Sequence, residues 1–269
     1  MRVAVVGHVD YVDFVRVERV PAPGEIVTAE ETWGEAAGGG GMAAVRLAAL
    51  AGSCTFFTAL GRDDFGREAE RQLSGLGVRV EADWHGPPQR RGFCYLDAGG
   101  ERTITLLTPK MRPRGSAPLP WPELRGYDAL YFTGGDVEAL RAARAARVVV
   151  ATSRELWTVR EAGVEVDALV GSGSDPDERY EPGDLDPPPA LVFWTEGGDG
   201  GRIEPAGERW QAADLPGAFA DAYGAGDTFA AYLTYALAEG RAAREAAELA
   251  ARGSAEALTR RGAHGRRCS

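Results

Sequence analysis

The chemistry in this chain concentrates in Asp221-Ala222-Tyr223-Gly224-Ala225-Gly226-Asp227-Thr228-Phe229. The segment stands between an extended stretch and a long Ala-rich run that reads as a helix. Small residues at Gly224, Ala225 and Gly226 leave backbone N–H groups uncovered at the helix start. With the positive end of the helix dipole they make an anion site that needs no basic side chain. Asp227 falls in the first turn of the same helix. A carboxylate there is poorly suited to hold a phosphate itself. It is well suited to take a proton from a hydroxyl that attacks the phosphate. A tight loop followed by a favourable first-turn acid has the same spacing, so spacing alone leaves both readings open.

The elements that must position this segment are legible as strand–helix alternation. Val3–Val6, Cys54–Leu60, Ala129–Thr133, Val148–Ala151, Ala168–Val170 and Leu191–Thr195 are short apolar runs that predict buried strands. Helices are expected after the glycine run 38–41, over Met42–Ala51, and over Asp64–Leu76, Val137–Ala146, Ser153–Ala162, Ala225–Ala238 and Arg241–Arg261. Asp63 and Asp64 suit a helix cap. Such alternation implies a parallel sheet covered on both faces. Phe93–Leu96 and Thr103–Leu107 instead flank Asp97-Ala98-Gly99-Gly100, which reads as a β-hairpin. The expected architecture is a doubly wound, mostly parallel α/β core (residues 1–8, 34–88 and 109–269) with a small β lid from 9–33 and 89–108.

Composition bounds the partners. The 269 residues carry 30 basic and 40 acidic side chains, a formal charge of −10, which argues against a nucleic-acid or anionic-membrane surface. No stretch approaches the ~20 apolar residues that span a bilayer. The opening run ending at Gly7 is too short for a signal peptide, so a cytoplasmic protein is expected. Cys54, Cys94 and Cys268 have no paired spacing and read as buried thiols. His8, His85 and His264 share no metal-ligand spacing and read as solvated or core residues. Lys110, the only lysine, reads as a consequence of composition bias. The start Gly7-His8-Val9-Asp10-Tyr11-Val12 lacks G-x-G-x-x-G, which disfavours a dinucleotide oxidoreductase.

Asp221 through Thr234 resembles the C-terminal signature of the ribokinase-like (PfkB) carbohydrate kinases, Asp-Thr-x-Gly-Ala-Gly-Asp, with Ala222 in place of Thr and Tyr232 in place of a small residue. Four further segments follow in family order: Pro23-Gly24-Glu25; Gly38-Gly39 with Gly61-Arg62-Asp63-Asp64-Phe65-Gly66; Glu101-Arg102-Thr103; and Thr195-Glu196-Gly197-Gly198-Asp199-Gly200. The resemblance implies a ribokinase-like fold and ATP-dependent phosphorylation of a hydroxymethyl group on a sugar, nucleoside or similar small molecule. It implies Asp227 as base and Gly224, Ala225 and Gly226 as anion hole. It implies Gly38, Gly39 and Arg102 at the acceptor and Thr195, Gly197 and Gly200 at the nucleotide.

Departures from the family pattern concern the acceptor and the metal. Ala43 stands where the family has a sugar-binding Asn. Asp10 and Val12 stand at the Asn and Asp positions of the first lid strand, with Asp13 one residue on. Strand alternation puts Asp10 and Asp13 on opposite faces, so Asp10 is preferred for the pocket and Asp13 is the alternative. The metal motif is not intact, and Glu178 in Asp175-Pro176-Asp177-Glu178 is the nearest candidate ligand for Mg2+. These departures also motivate a second reading, a non-catalytic ligand-binding or regulatory protein on the same fold. Exposed edges of the lid suggest a homodimer.

Overall fold

The computed structural model describes residues 1–86 and 88–265. Cys268 lies outside the described residues. The main sheet has nine strands: β1 (Val3–Val6), β4 (Cys54–Gly61), β5 (Val78–His85), β8 (Ala129–Phe132), β9 (Val148–Thr152), β10 (Ala168–Ser172), β11 (Leu191–Thr195), β12 (Gly201–Glu204) and β13 (Glu208–Trp210). Their order is β13-β12-β11-β10-β9-β8-β1-β4-β5. Pairing is parallel from β11 across to β5, and only the β12 and β13 edge is antiparallel.

Alternation along the strands sends side chains to two cores. Val3 and Val5 of β1 join Ala129 and Tyr131 of β8 on one face, under α1 (Gly38–Ala51), α2 (Asp64–Gly75), α5 (Ala225–Ala238) and α6 (Ala243–Ala257). Ala4 and Val6 join Leu130 and Phe132 on the other, under α3 (Val137–Ala143) and α4 (Leu156–Ala162). Both faces are thus dry, which is why β1 reads as a continuous apolar run. The Asp63 carboxylate accepts the Gly66 N–H at 2.9 Å and caps α2.

A second sheet, in the order β3-β2-β6-β7, contains β2 (Asp10–Arg16), β3 (Glu31–Ala37), β6 (Arg91–Leu96) and β7 (Arg102–Leu106). β3 runs four residues past Trp33, the expected end of the first lid stretch. Val12, Phe14, Trp33, Cys94 and Leu96 form the sheet's inner face and pack on Met42, Tyr223 and Ala263. Phe14 stacks on Trp33 with ring centroids 5.1 Å apart. The opposite face carries Tyr11 and Asp13. All of β7 is exposed.

Chain order reverses around β1, whose neighbours β4 and β8 lead to opposite sides of the sheet. Open α/β sheets bind ligands beyond the carboxyl ends of strands at such a point. Here that edge is formed by Gly7 and His8 after β1 and by Thr133 after β8.

Candidate active site

α5 starts at Gly224, whose φ of 72° is the left-handed conformation that glycine adopts freely. The first ladder bond of the helix runs from the Thr228 N–H to the Gly224 carbonyl, at 2.9 Å. The N–H groups of Ala225, Gly226 and Asp227 precede that ladder and point out of the helix end. A side chain at Gly226 would meet nothing within 4 Å, so the space in front of these donors is open. Asp221 anchors the loop from behind. Its buried carboxylate accepts N–H groups of Tyr223 and Gly262, each at 2.8 Å. The Tyr223 hydroxyl accepts the Gly38 N–H at 3.4 Å, which ties the loop to α1.

Two glycine-lined starts meet at Asp227. A methyl group on Gly39 would sit 2.8 Å from Asp227 Oδ1 and 2.9 Å from Thr133 Oγ1. Only a hydrogen at position 39 leaves that carboxylate free to face the cleft. Burial pushes the Asp227 carboxyl up to about 6; Arg102 and Arg154 oppose the shift, while Glu178 and Asp10 add to it. A carboxylate with this affinity is ionised at neutral pH yet basic enough to accept a proton from a polarised hydroxyl. The cleft around it holds about 510 Å³ and is bordered by Gly39, Arg102, Gly224, Gly226 and Asp227 among others.

A second cleft of about 1140 Å³ continues from the first along the start of α5. Thr195, Gly197 and Gly200 border it, opposite Phe229, Ala251 and Leu258. Gly200 has φ 83°, and a side chain there would lie 2.2 Å from the Trp210 carbonyl oxygen. Thr195, Arg102, Arg154, Gly226 and Glu178 border both clefts, so the two spaces meet beside the anion loop. Arg102 reaches from β7 to donate to the Ala222 carbonyl, linking the lid to that loop.

The remaining residues singled out from the sequence separate. Asp10 is buried on the inner face of β2, 2.9 Å from Arg90 Nε and against Gly38, and neither Asp10 nor Gly38 borders either cleft. Asp13 takes the opposite face and pairs with Arg91 at 2.5 Å, away from both clefts. Ala43 is fully buried in the core and borders neither cleft. Glu178 Oε1 pairs with Arg154 at 2.7 Å, and Oε2 accepts the Ser172 N–H at 2.7 Å. Among the described residues, no three or more His, Cys, Asp or Glu side chains gather in a way that could hold a metal ion.

Other residues at the first cleft were not singled out from sequence. His8, Arg90, Lys110, Arg112 and Glu155 all border it. Burial holds the His8 imidazole well below its ordinary range, so it is neutral. These groups come from four separate segments, and no local motif marks them. The strand-end rule could have found His8, two residues beyond β1.

The family model for pfkB family carbohydrate kinases matches residues 1–155 and 186–266. No curated protein sequence matches the chain. Among solved structures, ribokinase from Thermotoga maritima superposes with a TM-score of 0.77 at 21% identity, over 98% of this chain and 94% of that one. Arabidopsis thaliana ribokinase, complexed with ribose and ATP, gives 0.72 at 22% identity, over 97% and 93%. Adenosine kinase from Sinorhizobium meliloti gives 0.75 at 18% identity, over 96% and 93%. At these identities the superpositions show the ribokinase fold, and the family match carries the kinase class. The chain belongs to the PfkB family of carbohydrate kinases.

Proposed function

We propose that the protein transfers the γ-phosphoryl group of ATP to a hydroxymethyl group of a sugar or sugar-like molecule. The observation that carries this is the meeting of a base and an anion loop on one helix start. Asp227, the free N–H groups from Ala225 to Asp227 and the Gly39 gap share one cleft, and a second cleft opens beside it. The Arabidopsis ribokinase of the same fold was solved with ribose and ATP, which supports a sugar-like molecule and ATP as the two ligands here.

In this reading the nucleotide lies along Thr195, Gly197 and Gly200, with its terminal phosphate at the anion loop. The acceptor lies between the lid and β1, touching Gly39, with the buried Asp10 behind it against Arg90 and Gly38. Asp227 takes the hydroxyl proton as the acceptor oxygen bonds to the γ-phosphorus. The bond from phosphorus to the bridging oxygen breaks, and ADP leaves with that electron pair. Backbone amides from Gly224 to Asp227 hold charge on the transferred group without reorganising during the step. Arg102 carries the lid onto the loop, so closure removes water, which would otherwise compete as acceptor.

The donors present fit a Mg2+ ion carried mainly by nucleotide phosphates and water. The Glu178 carboxylate borders both clefts, but Arg154 and the Ser172 N–H hold its oxygens, so it would have to exchange one of these partners to touch the ion. When bound, such an ion shields the negative charge of the phosphates. ATP as donor implies a cytoplasmic setting, and no helix among the described residues is long and apolar enough to cross a membrane. Ile104 and Leu106 lie 42% and 53% exposed on the edge strand β7, a surface that a second copy would cover in a homodimer through the lid.

The test is direct. Purified protein with ATP and a panel of sugars, nucleosides and sugar acids should yield ADP and one phosphorylated acceptor. Nucleotide binding with no transfer to any acceptor would instead favour a ligand-binding role.

A further inference from the structure

A chain of net charge −10 places an unusual density of cations on one wall of its own cleft. Arg102 and Arg154 border both clefts and serve the phosphate side. Arg90, Lys110 and Arg112 border only the first cleft, on the acceptor side with His8 and Gly39. Their positions are built by the fold. Arg90 follows Gln89, whose side-chain amide donates to the Val9 carbonyl at 2.8 Å. Lys110 and Arg112 lie on the segment that leaves the lid. Lys110 Nζ is 2.6 Å from Glu155 Oε1, and Arg112 reaches Glu155 Oε2.

Five cations border the cleft, Arg90, Arg102, Lys110, Arg112 and Arg154, against the three carboxylates Glu155, Glu178 and Asp227, with Asp10 paired behind Arg90, so a positive surplus remains. Glu155, 2% exposed, is one carboxylate against both Lys110 and Arg112. Arg90, 7% exposed, stands opposite Asp10, but its Nη1 has no hydrogen-bond partner among the described residues, and neither has His8 Nδ1. A buried guanidinium with an unused donor loses solvation without recovering it. A neutral sugar would satisfy that donor but leave the surplus positive charge. A carboxylate or phosphate on the acceptor would satisfy both, through charge-assisted hydrogen bonds of the kind arginine forms in pairs. The cleft is large enough for a small sugar acid, at about 510 Å³.

Resting on the kinase reading above, we propose that the acceptor is an anionic sugar derivative, held through its carboxylate or phosphate by Arg90, Lys110 and Arg112 while its hydroxyl faces Asp227.

The experiment compares matched acceptors. D-gluconate is set against D-glucitol, and D-fructose 6-phosphate against D-fructose, in wild-type protein and in Arg112→Gln. Arg112 is partly exposed, so this variant keeps the fold, and a melting curve verifies it. One anion should exceed its neutral match by about 100-fold in kcat/KM, and which pair does so tells carboxylate from phosphate. Arg112→Gln should raise KM for that anion roughly 10- to 100-fold, far more than it moves KM for the neutral match, and Arg112→Lys should recover part of the loss. Neutral acceptors used as well as anionic ones would overturn the inference and leave the kinase reading intact. Anion binding seen by calorimetry and lost in Arg112→Gln, without phosphoryl transfer to any acceptor, would uphold the anion site and overturn the kinase reading. Neither transfer nor anion binding would overturn both.

Discussion

Replacing Asp227 by Asn isolates the base from everything around it. The side chain keeps its shape, so the anion loop and the Gly39 gap are undisturbed. Loss of a positioned general base lowers kcat by about 10²–10⁴-fold. The structure adds a pH signature. Burial raises the Asp227 carboxyl from 3.8 to about 6, so wild-type kcat should climb as pH passes 6 and then level. The variant should lack that limb. Stability should move the other way. A raised carboxyl pKa means that the native state binds the proton more tightly than the unfolded chain does. The stabilisation from this group is therefore complete below pH 3.8 and lost as pH rises through about 6. At pH 8 the wild-type protein holds an ionised carboxylate at a cost of about 2–3 kcal/mol relative to water. Asp227→Asn removes that cost, so its Tm should exceed wild type at pH 8 and match it near pH 3.5. Steady-state kinetics from pH 5 to 9 and paired melting curves measure both effects. A variant with wild-type kcat, or with the same rise through pH 6, would refute Asp227 as the base.

Three further outcomes follow from the same geometry. Gly39→Ala puts a methyl 2.8 Å from Asp227 Oδ1, and the displacement it forces should cut kcat by about 100-fold while the protein still folds; an unchanged kcat would show that the gap is not used. Trp210→Ala opens a cavity between Phe193 and Phe229, whose centroids lie 6.2 and 5.5 Å from the indole, and should cost about 3–5 kcal/mol in urea unfolding. Because Phe229 follows Asp227 by two residues, kcat should fall as well. Leu106→Glu charges the exposed edge of β7 and should convert a dimeric scattering mass to a monomeric one, whereas a wild-type monomer would remove the lid interface.

What the sequence disclosed depended on how local each signal was. β1, β8 and β9 are apolar runs buried on both faces, so composition alone finds them. No strand is read over 31–37, because β3 carries Glu31, Gly34 and Glu35. The Glu35 carboxylate is buried where it accepts the Ala263 N–H at 2.7 Å, a partner 228 residues away. Nor is one read over 78–85, although Val78, Val80, Ala82 and Trp84 alternate with charged residues. The helix expected over 153–162 begins as a 3-10 turn at Ser153–Glu155, with the Thr152 hydroxyl accepting the Arg154 N–H. At the site, the anion loop and Asp227 were readable because they are contiguous. The parity argument also separated Asp10 from Asp13 as the strand does. The cationic wall was not readable, since Arg90, Lys110 and Glu155 meet only through the sheet topology. The chain's single lysine, unremarkable as composition, borders the cleft.

The measurement that tests the central claim most directly is product analysis by mass spectrometry after incubation with ATP and the acceptor panel. Phosphoryl transfer at the Asp227 cleft predicts one acceptor gaining one phosphoryl group on a hydroxymethyl oxygen, in equal amount to the ADP formed, and formation of that product about 10²–10⁴-fold slower with Asp227→Asn. ADP formed without any phosphorylated acceptor, or equal product from the variant, would contradict it.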